Sequence, residues 1–197
     1  MLFSFRQANR ALLFLAAFTL LILPACNSST ATGKKEADKP AAATSGNKTT
    51  AAKYDPTAVP PEMADSEMTA LDGKTFKIAD YKGKVLLINV WTTWCGYCKK
   101  QMPDLVALSQ EFKDRDVEFI GLNAENEKLP MVQEYVKTHS IPYRVAWANE
   151  DVLSVLSPNG FPSTYLITRN GNFHWAVNGF VPPERIRTKI QEALEVN

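Results

Sequence analysis

Cysteine is scarce in this sequence, with three in 197 residues. That is too few for a scaffold held together by disulfides. Histidine is scarcer: only His139 and His174 are present, and neither stands at ligand spacing from the other or from a cysteine. There is no second Cys-x-x-Cys, so a closed zinc site has too few donors. The net charge is +1, which offers no strong field to nucleic acid or to an acidic partner. The chain has no glycine-rich phosphate loop, no triad-like nucleophile set, no convincing pair of acids and no internal repeat. Its one long apolar run, Ala11 to Leu23, is 13 residues including Thr19, short of the roughly 20 that a membrane-spanning helix needs.

What is present is Trp94-Cys95-Gly96-Tyr97-Cys98, shortly after the apolar run Val85-Leu86-Leu87-Ile88-Asn89-Val90. A strand that delivers two cysteines to the first turn of a helix makes a redox device. The helix N-terminus presents unpaired N–H groups and a partial positive charge, which favour thiolate over thiol. The spacing lets the second sulfur close a small ring with the first. Cys95, at the helix start, is read as the exposed nucleophile, and Cys98, one turn further in, as the resolving thiol.

The first sixty residues read as an export signal and a tether. Arg6 and Arg10 precede the apolar run, and Leu23-Pro24-Ala25-Cys26 resembles a bacterial lipobox, in which cleavage before the cysteine leaves a lipid-bearing sulfur. Residues 1–25 are therefore expected to be a lipoprotein signal, with Cys26 as the lipidation site. Residues 26–62 are dominated by Ala, Thr, Ser, Lys, Gly and Pro, which bury too little surface to offset their ordering entropy. A coil of about 35 residues spans on the order of 30–35 Å, enough to hold a folded domain close to membrane-bound partners.

Residues 63–197 read as one α/β domain. Met68 to Ile78 forms a hairpin around Asp72-Gly73, and Val85–Val90 and Val117–Leu122 are buried strands. A helix over Cys95–Phe112, with Leu105, Leu108 and Phe112 on one face, carries Pro103 and should kink there. Further elements are a helix over Met131–His139 entered at Pro130 and a strand over Tyr143–Trp147. A helix over Asp151–Leu156 and strands over Ser163–Thr168 and Phe173–Val177 come next. A last helix opened by Pro182-Pro183-Glu184 turns Ile186, Ile190 and Leu194 inward. Strands alternating with helices predict a central sheet covered on both faces.

These features resemble the thioredoxin superfamily, and within it the TlpA/ResA-like membrane-tethered thioredoxins. The resemblance is carried by the hairpin ending at Gly83-Lys84, by Val90-Trp91-Thr92-Thr93-Trp94-Cys95 into Cys98, by Pro103, and by Gly160-Phe161-Pro162-Ser163-Thr164. It implies a thioredoxin fold with a mixed central β-sheet, an N-terminal β-hairpin and a helix–strand insertion between Asn126 and Pro158. It implies that Pro162 is cis and lies against the cysteine pair, and that the backbone of Phe161 pairs with a substrate strand. Trp94, Gly96 and Tyr97 complete the expected client-binding surface.

By the same resemblance, partners are disulfide-containing client proteins, with apocytochrome c among them, and a membrane thiol donor of electrons. No organic cofactor and no metal is implied. Two positions depart from the pattern. Asn89 stands where ordinary thioredoxins place a buried Asp, and Gln101 where some ResA-type members carry a functional Glu. Proton transfer to Cys98 is left to water or to Glu125, whose plainer reading is a solvated loop acid. Trp94 either walls the site or merely packs, and Trp91 belongs to the core. Lys99 and Lys100 either favour the thiolate or are solvated charge.

The expected reduction potential lies between about −270 mV and about −120 mV, nearer the reducing end. Thiol oxidase or isomerase action, a Cu(I) chaperone using both cysteines, and a peroxidase using the Thr92-x-x-Cys95 spacing remain competing readings.

Overall fold

The computed structural model describes residues 57–125 and 129–196. The expected signal segment, Cys26 and the tether up to residue 56 lie outside the described residues. Among the described residues, no helix is long and apolar enough to cross a membrane.

The fold is organised by β3 (Val85–Trp91), whose seven residues are all buried, as an apolar run covered on both faces requires. It pairs in parallel with β4 (Val117–Asn123), which pairs in parallel with β5 (Arg144–Trp147). On its other side β3 pairs antiparallel with β6 (Ser163–Ile167), followed by antiparallel β7 (Phe173–Asn178). The five-stranded order is β5-β4-β3-β6-β7.

The two-residue period of the strands divides the core. Leu86, Ile88, Val90, Ile120, Leu122, Tyr165 and Ile167 face one side. They are covered there by Met63 of α1 (Pro61–Ala64) and by the hairpin of β1 (Met68–Thr69) and β2 (Thr75–Phe76). Val152 and Leu156 of α4 (Glu150–Leu156) complete that cover. Val85, Leu87, Phe119 and Leu166 face the other side, against Leu105 and Leu108 of α2 (Gly96–Glu111) and Ile186, Ile190 and Ala193 of α5 (Pro183–Glu195). The crossover from β4 to β5 runs through α3 (Leu129–Thr138), which adds Val132 to a third apolar cluster beneath the cysteines.

The architecture is thus the expected α/β thioredoxin fold, with local corrections. The hairpin is shorter than Met68–Ile78, because Ile78–Tyr81 winds into a 3-10 turn whose N-cap residue, Lys77, donates its N–H to Asp80 Oδ2 (2.8 Å). α2 continues through Pro103 to Glu111. On α5 the third inward residue is Ala193, while Leu194 is only half-buried. The fold takes in residues upstream of 63: Phe173 donates its N–H to the Thr57 carbonyl (2.7 Å), and Val59 donates to the Gly171 carbonyl (2.9 Å). This pairing satisfies part of the otherwise open edge of β7.

Candidate active site

At the C-terminal end of β3 the chain leaves the sheet through Thr92, Thr93 and Trp94 and enters α2 at Gly96. Cys95 is the N-cap, so the helix begins one residue later than expected. Its N–H donates to the Thr92 carbonyl (3.4 Å), and its carbonyl accepts from Lys99 N–H (3.1 Å). Cys95 and Cys98 are joined by a disulfide, with Cα atoms 5.2 Å apart. Cys98 N–H donates to Cys95 Sγ at 3.0 Å, a helix-terminal donor aimed at the sulfur that would become the thiolate. Cys95 is 6% exposed and Cys98 2%. The order of accessibility matches the sequence reading, but Cys95 is not an open thiol. It is packed in a cluster with Trp91, Met102, Val132, Ile141 and Val145, with Phe161 at the border.

Around this narrow opening the surface is aromatic. Trp94 and Tyr97 are 64% and 65% exposed, so Trp94 is not ordinary packing. Its ring meets Phe161 edge-on at 5.8 Å. Trp91, by contrast, is core. The Phe161–Pro162 peptide is cis, as the resemblance implied, and the Pro162 carbonyl accepts from Gly179 N–H (2.7 Å). Gly96 is exposed, and a Cβ there would meet nothing within 4 Å. Lys99 and Lys100 are exposed on α2, and Lys100 Nζ sits 4.4 Å above the Phe180 ring. The fold therefore gathers Trp94, Cys95, Gly96, Tyr97, Cys98, Phe161 and Pro162 at one end of the sheet, while Cys26 is outside the described residues.

Beneath the pair, two polar systems are buried. In the first, Asn89 Nδ2 donates to Thr164 Oγ1 (3.1 Å), Gln101 Nε2 donates to the same oxygen (3.4 Å), and Val181 N–H donates to Gln101 Oε1 (3.4 Å). The two departures from the family pattern are thus linked through one hydroxyl. The second system corrects the reading of Glu125, which is buried and not a solvated loop acid. Its carboxyl group accepts from the N–H of Thr93, from Thr93 Oγ1 (2.9 Å) and from Asn123 Nδ2 (3.3 Å).

Sequence reasoning missed Thr93, Asn123 and Thr164. Register could have found the first. Trp91 lies opposite Asn123 in the parallel β3–β4 pair, so residues two further along each strand, Thr93 and Glu125, must emerge side by side.

Of the remaining candidates, Thr92 Oγ1 and Trp91 Nε1 are buried with no hydrogen-bond partner. Trp91 Nε1 lies 3.1 Å from where a Cβ on Gly121 would stand. Tyr143 donates its O–H to Met102 Sδ (3.0 Å), and burial raises its phenol pKa well above the usual value. The histidines sit apart from the sulfurs. His139 stacks on Tyr135 at 3.9 Å and His174 faces Glu192 at 3.6 Å.

The site so assembled has clear relatives. The model of the Redoxin family matches residues 37–189. A thiol-disulfide oxidoreductase ResA of Bacillus thuringiensis subsp. konkukian is 28% identical over 135 residues, 68% of this chain and 75% of that protein. A ResA of Geobacillus kaustophilus is 28% identical over 128 residues, 64% of this chain and 73% of that one. A thiol:disulfide interchange protein of the thioredoxin family from Chlorobium tepidum TLS superimposes with a TM-score of 0.64 at 29% identity, over 73% of this chain and 99% of that one. With the Cys-x-x-Cys at a helix N-terminus and the cis-proline loop beside it, these matches assign the chain to the Redoxin family, as a thioredoxin-like thiol–disulfide oxidoreductase of the TlpA/ResA kind.

Proposed function

We propose that the protein reduces disulfides in partner proteins outside the cytoplasm through a Cys95–Cys98 dithiol cycle. The observation that carries this reading is the contrast between a nearly closed sulfur pair and the exposed aromatic rim around it, Trp94 and Tyr97 with Phe161. In the reduced protein the Cys95 thiolate, held by Cys98 N–H, attacks a client disulfide. A mixed disulfide forms and one client sulfur leaves as thiolate. Cys98 then attacks Cys95 Sγ, restores the ring and releases the second client thiolate, so two electrons have passed to the client.

In this reading the rim seats apolar client residues and Gly96 leaves room for the approaching chain. Pro162 and the backbone of Phe161 align the client beside Cys95. Cys26 carries a lipid, residues 1–25 are removed and residues 26–62 act as the tether, whose last residues, from Thr57, are docked on the domain. A membrane thiol donor re-reduces the pair, and apocytochrome c with oxidised haem-binding cysteines is a client.

The test is capture of a mixed disulfide. Cys98→Ser incubated with insulin retains an insulin chain that dithiothreitol releases, and Cys95→Ser retains none. Absence of the adduct with folded Cys98→Ser defeats the proposal. A potential near or below about −250 mV supports a reductase, and one above about −180 mV points to an oxidase or isomerase. For the anchor, labelled palmitate incorporates into the full chain and not into Cys26→Ser.

A further inference from the structure

Apolar side chains exposed singly are ordinary on a protein surface, but a cluster of them marks a contact surface. Among the described residues, the large apolar side chains that stand well exposed are Trp94, Tyr97, Met131 and Val196. Val196 is the last described residue. The other three come from two separate segments and gather at the cysteine end of the sheet. Trp94 and Tyr97 bracket Cys95 in the chain. Met131 stands in the first turn of α3, the element that follows β4. Its Sδ lies 3.7 Å from the hydroxyl of Thr93, two residues before Cys95.

The position of Met131 is set from below. Val132, the next residue, is fully buried in the cluster that holds Cys95 and Cys98. Tyr135, one turn on, has its ring 5.2 Å from that of Trp91. These contacts fasten the start of α3 beside the loop that leads into Cys95. Met131 itself is 49% exposed, so the core does not demand an apolar residue there, and a polar helix former would serve that surface as well. In the sheet, β3 has β4 on one side and β6 on the other. The cysteine end is therefore flanked by apolar side chains on two sides: Phe161, in the loop before β6, and Met131, in the turn after β4. Trp94 belongs to the first flank through its edge contact with Phe161 at 5.8 Å. Methionine suits the second, since its unbranched, polarisable chain adapts to apolar partners of different shape.

We propose that Met131 is a specificity-determining residue, which receives a large apolar side chain of a client polypeptide on the flank opposite Phe161. Its surface is continuous with the one that a client must cover for its sulfur to reach Cys95. An extended client chain turns the residues two before and two after its cysteine toward the same side as the sulfur, about 7 Å along the chain. Those are the client positions that can reach the rim, and leucine there gains apolar burial that serine does not. The partner is thus an extended, disulfide-bearing segment with bulky apolar residues near its cysteine. The inference rests on the reading of the protein as a reductant of client disulfides and names the chemistry of those clients.

The experiment measures how fast the reduced full chain, freed of dithiothreitol, reduces two peptide disulfides. One is the dimer of acetyl-Leu-Ser-Cys-Ser-Leu-amide, and the other has serine in place of both leucines. The wild type reduces the leucine dimer about tenfold faster. Met131→Gln, which keeps chain length and helix propensity, slows the leucine dimer about fivefold and the serine dimer less than about twofold. Met131→Leu, still apolar, stays within about twofold of the wild type on both. A folded Met131→Gln that keeps the full preference for leucine overturns the proposal. Equal slowing of both dimers also overturns it, because the residue would then act only through Thr93 and the entry to Cys95. A wild type that reduces both dimers at one rate removes this inference and leaves the client reading intact. A wild type that reduces neither dimer, although dithiothreitol opens its ring, removes the client reading and this inference with it.

Discussion

Beside β4, the loop that leads into Cys95 is held by one carboxyl group. Beside β6, the helix that follows Cys98 is held by two amides and a hydroxyl. Glu125 gathers three donors, two of them from Thr93, two residues before Cys95. Thr164 gathers Asn89 and Gln101 at 3.1 and 3.4 Å. Both systems bury polar groups that must be paired to be tolerated. They differ in what happens when one member is lost. A carboxyl group that satisfies several donors is a hub, and its removal orphans them all. A run of long amide contacts fails one link at a time.

That difference sets the largest expected effect. Glu125→Ala leaves Thr93 N–H, Thr93 Oγ1 and Asn123 Nδ2 without their acceptor, a loss of about 2–4 kcal/mol visible as a lowered urea midpoint. Because Thr93 shapes the entry to Cys95, insulin reduction falls with it. Gln101→Leu removes one 3.4 Å bond on each side and fills the space with a similar volume, so about 1 kcal/mol is expected. If Gln101→Leu costs as much as Glu125→Ala, the contrast between hub and chain is wrong. If Glu125→Ala is nearly neutral, water has replaced the carboxyl group and the β4 flank is not a hub.

The rim offers a third term of comparison, since it is built from exposed residues that no packing demands. Gly96 has no steric need to be glycine: its φ is not positive and its Cβ position is empty. Gly96→Ala should therefore fold with unchanged stability. It should slow reduction of insulin about three- to tenfold, the cost of roughly 1 kcal/mol of steric interference at a docking surface. Ring opening by dithiothreitol should change by less than about twofold, since a small thiol needs little room. Equal slowing of both reactions would place the effect in the helix terminus instead of at the client surface.

How much of this was legible in the sequence follows the same division. The strands of the central sheet were legible because Val85–Val90 and Val117–Leu122 are apolar runs bounded by turns. The cysteine pair was legible because its spacing and its position after a strand point first to thiol–disulfide chemistry. Pro162 became legible only through the resemblance, since Phe-Pro before a strand has many plainer explanations. The buried polar floor was not legible. Glu125 looks like any acid after a strand, and its burial is decided by the Trp91–Asn123 register and by Thr93 on another segment. Thr164 stands between Ser163 and Tyr165 in β6, and a threonine there fits a strand whether or not its hydroxyl has work. Asn89 and Gln101 were noticed as departures, but their meeting at one oxygen, 75 and 63 residues away in sequence respectively, is a property of the sheet.

The smallest expected effect separates the β4–β5 side from the rest by pH. Tyr143 is raised above the ordinary phenol range, chiefly by burial, whereas in the unfolded chain it titrates near pH 10. Its folded pKa being the higher, the native state holds the proton longer. The stabilisation is complete below about pH 10 and is lost as pH rises toward the folded value, with a slope of at most about 1.4 kcal/mol per pH unit. Tyr143→Phe removes the ionising group and the O–H to Met102 Sδ bond together. At pH 7 it costs less than about 1 kcal/mol, and above pH 10 it falls off less steeply than the wild type. Tyr81, Tyr135 and Tyr165 are also raised by burial, so the slope shrinks without vanishing. Urea midpoints at pH 8 and pH 10.5 for both proteins measure it. Parallel lines would mean that Tyr143 reaches water before the domain unfolds, and that the cluster beneath the cysteines opens on its own.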